Sequence, residues 1–128
     1  MKDKINRLIL SSKEVIKNCI LENGAIVAAN SDLNIYPSDV QSYRYVWPRD
    51  ASFVLVAADI LKIKNVHKNF YNWILNRAEG FEDGLLYQNY YPNGPKRWLA
   101  FQPDQNGSVL WSIYEHHKDN LKDALVFK

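Results

Sequence analysis

Apolar residues recur at three- and four-residue steps through the first part of the chain. This spacing predicts an amphipathic helix over about residues 3–22, with lysine, asparagine and glutamate on the opposite face. Asn23 and Gly24 follow and can end the helix, because glycine readily adopts the left-handed conformation of a C-terminal cap. The periodic residues are Ile5, Leu8, Ile9, Ser12, Val15, Ile16, Cys19 and Ile20.

The middle of the chain alternates loops with two helices of different character. Residues 25–29 are a short apolar run, and residues 30–42 carry little periodicity and are predicted to form a loop. Residues 50–63 are apolar almost all round, which predicts a helix buried on every side. The following helix, ending near Ala78, is apolar on one side only and is expected to be half-exposed. The pair predicts an αα-hairpin of two unequal layers.

Turn-forming residues interrupt the helical pattern after residue 78. Residues 79–84 contain two glycines, and Pro92-Asn93-Gly94-Pro95 separates two short extended arms rich in aromatic residues. We therefore predict a hairpin-like excursion. Residues 102–107 are polar and rich in helix-capping types, so they are expected to open another helix. A final apolar run at residues 125–127 has no stop signal after it.

Composition limits the possible classes of protein. With 128 residues the chain is one domain at most, and its 47% hydrophobic and 23% charged residues are ordinary for a soluble globular protein. A net charge of +2 is too small to indicate nucleic acid or a membrane surface as partner. The single cysteine, Cys19, excludes an internal disulfide. Because we find no secretory signal or membrane-length apolar run, a soluble, cytoplasmic protein is expected.

One stretch, residues 43–52, combines three aromatics, a proline and an adjacent Arg-Asp pair. Proline biases Trp47 towards an extended conformation and is suited to the first position of a helix. The stretch therefore brings aromatic faces, a guanidinium and a carboxylate to a helix N-terminus, which suits a ligand such as a sugar. The alternative is a structural one: Asp50 caps the helix, Arg49 is solvated and the aromatics lie in the core.

A second aromatic and polar loop ends at Asn106. Both this loop and the one ending at Asp50 precede predicted inner helices. In a two-layer helical array such loops lie on the same side, so we expect the two loops to form one cleft.

These segments, in this order, resemble the glucoamylase-type glycoside hydrolases of family fifteen, especially their archaeal and bacterial branch. The matching motifs are NGAIVAA (23–29), YRYVWPRDA (43–51), NRAEGF (76–81) and FQPDQNGSVLW (101–111). The resemblance implies an all-α fold: the first part of an (α/α)6 barrel of alternating inner and outer helices, with inner-helix N-termini lining the substrate pocket. It also implies that residues 1–128 are a single partial catalytic domain, truncated at the C-terminus.

The resemblance implies, too, which residues bind the terminal, non-reducing glucose. Arg49 and Asp50 are expected to bind its hydroxyls, since a carboxylate accepts several hydrogen bonds and a guanidinium donates from a rigid fork. Aromatic residues are expected to shape the subsite, and two uncharged amides to add polar contacts. The aromatics are Tyr43, Trp47, Trp98 and Phe101, and the amides are Gln105 and Asn106.

The chemistry of that family is an inverting hydrolysis. One carboxylic acid protonates the glycosidic oxygen and a second carboxylate, roughly 6.5–9.5 Å away, activates water. By resemblance both are glutamates located beyond Lys128, so no catalytic residue is assigned in this chain and Asp50 and Asp104 are not expected to fill those roles. No cofactor or metal is assigned either, because His67, His116 and His117 lack ligand-like neighbours in the sequence.

The resemblance thus implies an exo-acting α-glucosidase that releases glucose from the non-reducing ends of α-glucans or maltooligosaccharides, with this chain inactive alone. A trehalase-like member of the same family is an alternative. A second alternative, from another class, is a non-catalytic carbohydrate-binding or interaction fragment. A complementary chain supplying the rest of the barrel is an expected partner, and self-association is expected without it because aromatics would be exposed.

Overall fold

The computed structural model describes residues 1–33, 37–39 and 41–120. The described residues form helices and one small antiparallel sheet, so the predictions of a mainly helical fold and of a hairpin excursion are confirmed. The apolar run at residues 125–127 lies outside the described residues. The elements are helix α1 (Lys2–Cys19), α2 (Pro48–Ile60), α3 (Val66–Arg77), a 3-10 turn (Phe81–Asp83), strands β1 (Tyr87–Tyr90) and β2 (Lys96–Phe101), and α4 (Pro103–His117).

Helix α1 has the predicted amphipathic pattern but ends at Cys19, three residues earlier than expected. None of its residues is buried. The apolar stripe is open instead, with Leu8 66% and Val15 60% exposed. The described part of the chain therefore provides no layer that covers this stripe. No described helix is long and apolar enough to cross a membrane.

Helices α2 and α4 pack against each other in parallel. Contacts join their N-terminal ends, through Arg49 and Gln105, and their C-terminal ends, through Asp59 and His116. Helix α2 begins at Pro48, whose fixed φ and missing N–H suit the first helical position. Its small buried residues, such as Ala51, allow close approach of the two helices.

The expectation that the second helix is buried on every side is wrong. Helix α2 buries one side only, while Phe53 is 60% and Ile60 76% exposed. The described helices cover only the side that faces α4 and α3. Helix α2 therefore has apolar side chains on every side, but the described residues cover only one of them.

Helix α3 is half-exposed, as expected, and its buried side contributes more large side chains to the core than α2 does. Phe70 and Trp73 are buried and stack at 5.9 Å between ring centroids, and Tyr90 of β1 meets the Trp73 ring edge-on. The indole N–H of Trp73 donates to the Pro92 carbonyl at 2.7 Å, and Asn23 Nδ2 donates to the same oxygen at 2.9 Å. The hairpin thus covers the apolar side of α3.

The hairpin is joined to the segment before α2. Val46 and Tyr90 form an isolated antiparallel bridge, and each N–H donates to the other's carbonyl at 2.9 Å. The hairpin turn packs on the last turn of α3 at Gly94, which has φ +118°. The Gly94 carbonyl accepts a hydrogen bond from the Glu79 N–H at 3.0 Å. The sheet thus connects the end of α3 with the start of α2.

Candidate functional site

The N-terminal ends of α2 and α4 are connected by two side chains of α4. Gln105 Oε1 accepts a hydrogen bond from the Arg49 backbone N–H at 2.8 Å. Arg49 Nη1 donates to Asp104 Oδ2 at 2.6 Å. The loop before α2 and the loop before α4 therefore lie side by side, as predicted from their order in the sequence.

The Arg49–Asp104 pair lies at the surface, with side chains 37% and 54% exposed. The hydrogen bond to Asp104 raises the pKa of the Arg49 guanidinium, and Asp50 adds a smaller effect in the same direction. Because a surface pair of this kind is worth about 0–1 kcal/mol, its main effect is to orient the guanidinium. Asp50 is exposed in the first turn of α2, where the helix dipole favours a carboxylate.

Aromatic rings and one guanidinium form a contiguous surface beside this pair. Tyr43 stacks on Trp47 at 6.2 Å between centroids, and Tyr45 meets Trp47 edge-on at 6.1 Å. The Arg97 guanidinium lies 4.2 Å from the Tyr45 ring centroid and 4.8 Å from that of Trp98. We call these five residues the aromatic row. It brings together three of the predicted aromatics and adds two residues.

Tyr45 and Arg97 were missed for different reasons. Tyr45 lies inside the aromatic stretch at residues 43–52, so the aromatic composition of that stretch was a usable signal for it. No comparable signal in the sequence marked Arg97, because its position between Tyr45 and Trp98 depends on a strand register with two irregularities. Phe101, another predicted wall residue, pairs with Tyr87 across the sheet and is 47% exposed.

The two predicted amides have structural contacts in this fold. Gln105 is fully buried, and its Nε2 donates to Gln102 Oε1 at 3.0 Å while its oxygen holds Arg49. Asn106 Nδ2 donates to the Gly84 carbonyl at 2.7 Å, and its Oδ1 accepts from the Leu86 N–H at 3.0 Å. Both side chains therefore fix the loops around the site, and their contact with a ligand stays a prediction.

At the other end of the α2–α4 pair, two histidines converge on one carboxylate. Asp59 Oδ2 lies 2.9 Å from His67 Nε2 and 2.9 Å from His116 Nδ1. The two imidazole rings stack at 3.8 Å between centroids. Burial lowers the pKa of His67 to about 4, against the opposing effect of Asp59. The expectation that the histidines lack ligand-like neighbours is therefore wrong for two of them, because helix packing joins positions far apart in sequence.

The fold and the site thus define a helical chain with two parallel helices whose N-termini are joined by the Arg49–Asp104 ion pair. The aromatic row lies beside this pair. Over 116 residues, the chain is 34% identical to an uncharacterized glycosyl hydrolase of Methanocaldococcus jannaschii. The alignment covers 88% of this chain and 17% of that protein, so the chain spans about a sixth of its relative's length. No protein-family model matches the chain. No solved structure matches it either.

This similarity is to a protein whose name describes it as a glycosyl hydrolase. Nothing in the relative's name specifies a substrate or a linkage.

Proposed function

We propose that this chain forms the part of a glucoamylase-like catalytic domain that binds the terminal glucose of an α-glucan. The whole domain would be an exo-acting, inverting α-glucosidase built as an (α/α)6 barrel. The parallel α2–α4 pair with α3 beside it is consistent with two inner helices and an outer one. The coarse similarity to a glycosyl hydrolase supports the same reaction class.

The observation that carries the proposal is the junction of the two helix N-termini. Gln105 holds the Arg49 backbone and Asp104 holds its guanidinium. The same end of α2 presents the ring of Trp47 and the exposed carboxylate of Asp50. Cation, carboxylate and aromatic face are therefore within one and a half turns of chain.

These groups suit the chemistry of a pyranose. Asp50 accepts hydrogen bonds from two hydroxyls of the sugar. The guanidinium N–H groups of Arg49 that Asp104 does not use donate hydrogen bonds to its hydroxyl oxygens. The apolar face of the sugar ring packs on Trp47, whose orientation is fixed by contact with Tyr43 and Tyr45. Because Asp104 already orients Arg49, part of the cost of ordering this side chain is met before the sugar binds.

Hydrolysis requires groups that we do not assign to this chain. An inverting mechanism needs a carboxylic acid at the glycosidic oxygen and a carboxylate that activates water on the opposite side of the ring. Asp104 is held by Arg49 and Asp50 is assigned to binding. We therefore propose that the catalytic acid and base come from the remainder of the domain, and that this chain alone releases no glucose.

Association with that remainder is supported by the exposed apolar side chains of three helices. An uncovered apolar surface of this kind favours association with a partner, and self-association when the partner is missing. We propose that the occupant is the rest of the barrel on a complementary chain. The exposed residues are Ile5, Leu8, Ile9 and Val15 of α1, Phe53 and Ile60 of α2, and Leu110, Trp111 and Tyr114 of α4.

Calorimetric titration with acarbose, maltotriose and trehalose tests the sugar site. We expect Asp50→Ala to weaken binding of the glucan-type ligands at least tenfold. Asp3→Ala is the matched control, because Asp3 is also an acidic residue in the first turn of an exposed helix. Equal affinity of wild type and Asp50→Ala would contradict the proposed role of this residue. Preference for trehalose would favour the trehalase-like alternative.

A glucose-release assay with maltooligosaccharides tests whether the catalytic acid and base lie outside this chain. The pure chain is expected to release none, since the acid and base are assigned elsewhere. Measurable release that is lost in Asp104→Asn would instead place a catalytic carboxylate in this chain. If the wild-type chain binds no sugar in the titration, the non-catalytic interaction fragment becomes the better account.

A further inference from the structure

Three side chains from three helices meet at the end of the α2–α4 pair opposite Arg49. Asp59 lies in the last turn of α2, His67 in the first turn of α3 and His116 in the last turn of α4. Their nearest ligand atoms all lie within 4.8 Å of one another. His67 is buried, and the other two reach it from the surface.

A chain of hydrogen bonds connects His67 to Ser112 through Tyr71. Ser112 Oγ donates to the Val109 carbonyl at 2.8 Å, so its single proton is used there. The Tyr71 hydroxyl, 3.2 Å from Ser112 Oγ, can then donate to Ser112. That leaves the Tyr71 oxygen to accept from His67 Nδ1 at 3.0 Å. With the hydrogen on Nε2, that nitrogen donates to Asp59 or to the Leu55 carbonyl and Nδ1 accepts from Tyr71. With the hydrogen on Nδ1, the three contacts above are satisfied together and Nε2 keeps its lone pair.

In this arrangement His67 Nε2 has a lone pair that faces two oxygen acceptors. The Leu55 carbonyl lies 3.1 Å away and Asp59 Oδ2 2.9 Å away. A lone pair facing a carboxylate and a carbonyl is unfavourable unless a positive group lies between them. A metal ion bound at Nε2 supplies that positive group.

We propose that Asp59 Oδ2, His67 Nε2 and His116 Nδ1 bind one divalent transition-metal ion, zinc above all. Imidazole nitrogens with a carboxylate are typical zinc ligands, and three protein ligands leave a position for water. The His67–Tyr71 hydrogen bond corresponds to the outer contact that usually orients a metal-binding histidine. Tetrahedral zinc with bonds of about 2.0–2.1 Å separates its ligand atoms by roughly 3.3 Å, so the two 2.9 Å contacts must open slightly. The surface imidazole of His116 must also turn out of its stack on His67, so that both lone pairs point at the ion.

The surroundings restrict the class of metal. An open depression of about 380 Å³ gives access to the three ligands, and Lys62, Lys64 and Lys68 also line it. Their charges oppose a cation, which disfavours magnesium and calcium because these ions depend on several charged oxygen ligands. Nitrogen ligands bind zinc, cobalt, nickel and copper through directed bonds and select them over the harder cations. The site would tie together the ends of three helices.

Titration of the metal-free chain with cobalt(II) tests the proposal, because tetrahedral or five-coordinate cobalt absorbs visible light. We expect one cobalt per chain, displaced by zinc and not by magnesium. His116→Ala and Asp59→Asn should each weaken cobalt binding at least tenfold. His117→Ala is the matched control, since it removes the adjacent histidine, whose ring packs edge-on against His116 without being one of the three ligands, and it should lose far less cobalt affinity than His116→Ala.

Thermal unfolding with and without zinc provides a second measurement. Zinc should raise the melting temperature of wild type and His117→Ala, and leave that of His116→Ala unchanged. The proposal is overturned if wild type binds no cobalt, if Asp59→Asn binds it like wild type, or if His117→Ala loses as much affinity as His116→Ala. Circular dichroism of each variant shows whether a loss of binding reflects a loss of fold; Asp59 and His116 are both surface positions.

Discussion

The hairpin turn at Gly94 allows a sharp test of how this fold is held together. Gly94 has φ +118°, and a Cβ placed there would overlap the Arg77 carbonyl oxygen and lie 2.7 Å from its carbon. Gly94→Ala therefore adds two costs. One is the strain of a positive φ, about 1–2 kcal/mol for a residue with a Cβ. The other is the displacement of the turn away from the end of α3.

That displacement also weakens the hydrogen bond from the Glu79 N–H to the Gly94 carbonyl. Loss of such a bond costs about 1 kcal/mol, and relieving a tight contact costs a further 1–3 kcal/mol. We therefore expect Gly94→Ala to lower the free energy of unfolding by about 3–6 kcal/mol. Gly84→Ala is the matched control: its φ is +73°, but no atom lies within 4 Å of an added Cβ. Its expected cost is only the strain of about 1–2 kcal/mol.

Urea unfolding followed by circular dichroism and tryptophan fluorescence measures both variants, at several protein concentrations to detect association. Gly94→Ala should be at least about 2 kcal/mol less stable than Gly84→Ala, which is the lower limit of the contact and hydrogen-bond costs together. If the two variants differ by less than about 0.5 kcal/mol, the turn does not pack on α3 as described. Hydrogen exchange at the Glu79 amide should be faster in Gly94→Ala only.

Three further predictions follow from other positions. Gly107→Ala, at an exposed helical site with open space around it, should stabilise the chain by about 0.5–1 kcal/mol in the same urea assay. Asn89→Leu should be neutral or stabilising, because both side-chain polar atoms of this buried residue lack a hydrogen-bond partner among the described residues; a loss above about 1 kcal/mol would reveal a hidden partner. In metal-free buffer, stability should fall as the pH drops from 6.5 towards 4, because the unfolded chain binds a proton that folded His67 does not; the loss approaches about 3 kcal/mol and should shrink in His67→Gln.

Local rules predicted the helices and the hairpin well. The three- and four-residue spacing identified α1, Pro48 marked the start of α2, and the turn at residues 92–95 separated the two strands. These signals act between neighbouring residues, so they can be read without knowledge of the fold. The order of the loops also predicted that Arg49 and the start of α4 meet.

Burial and long-range contacts were not predictable in the same way. The apolar character of α2 shows what the helix can bury, but its cover depends on which neighbours are present: Phe53 contacts the Trp111 ring and still remains 60% exposed. The burial of α3 depends on a hairpin that folds back over it. The cluster of Asp59, His67 and His116 joins residues up to 57 positions apart, through the parallel packing of α2 and α4.

The Val46–Tyr90 bridge has a consequence for the energetics of any ligand that binds the aromatic row. A free loop loses conformational entropy when a ligand orders it, at a cost of roughly 0.5–1.5 kcal/mol for each mobile side chain. Here paired backbone hydrogen bonds tie the residue before Trp47 to the sheet, so much of that ordering has occurred during folding. Binding at Trp47 should therefore be fast and weakly coupled to backbone motion, with affinity determined by the contacts themselves.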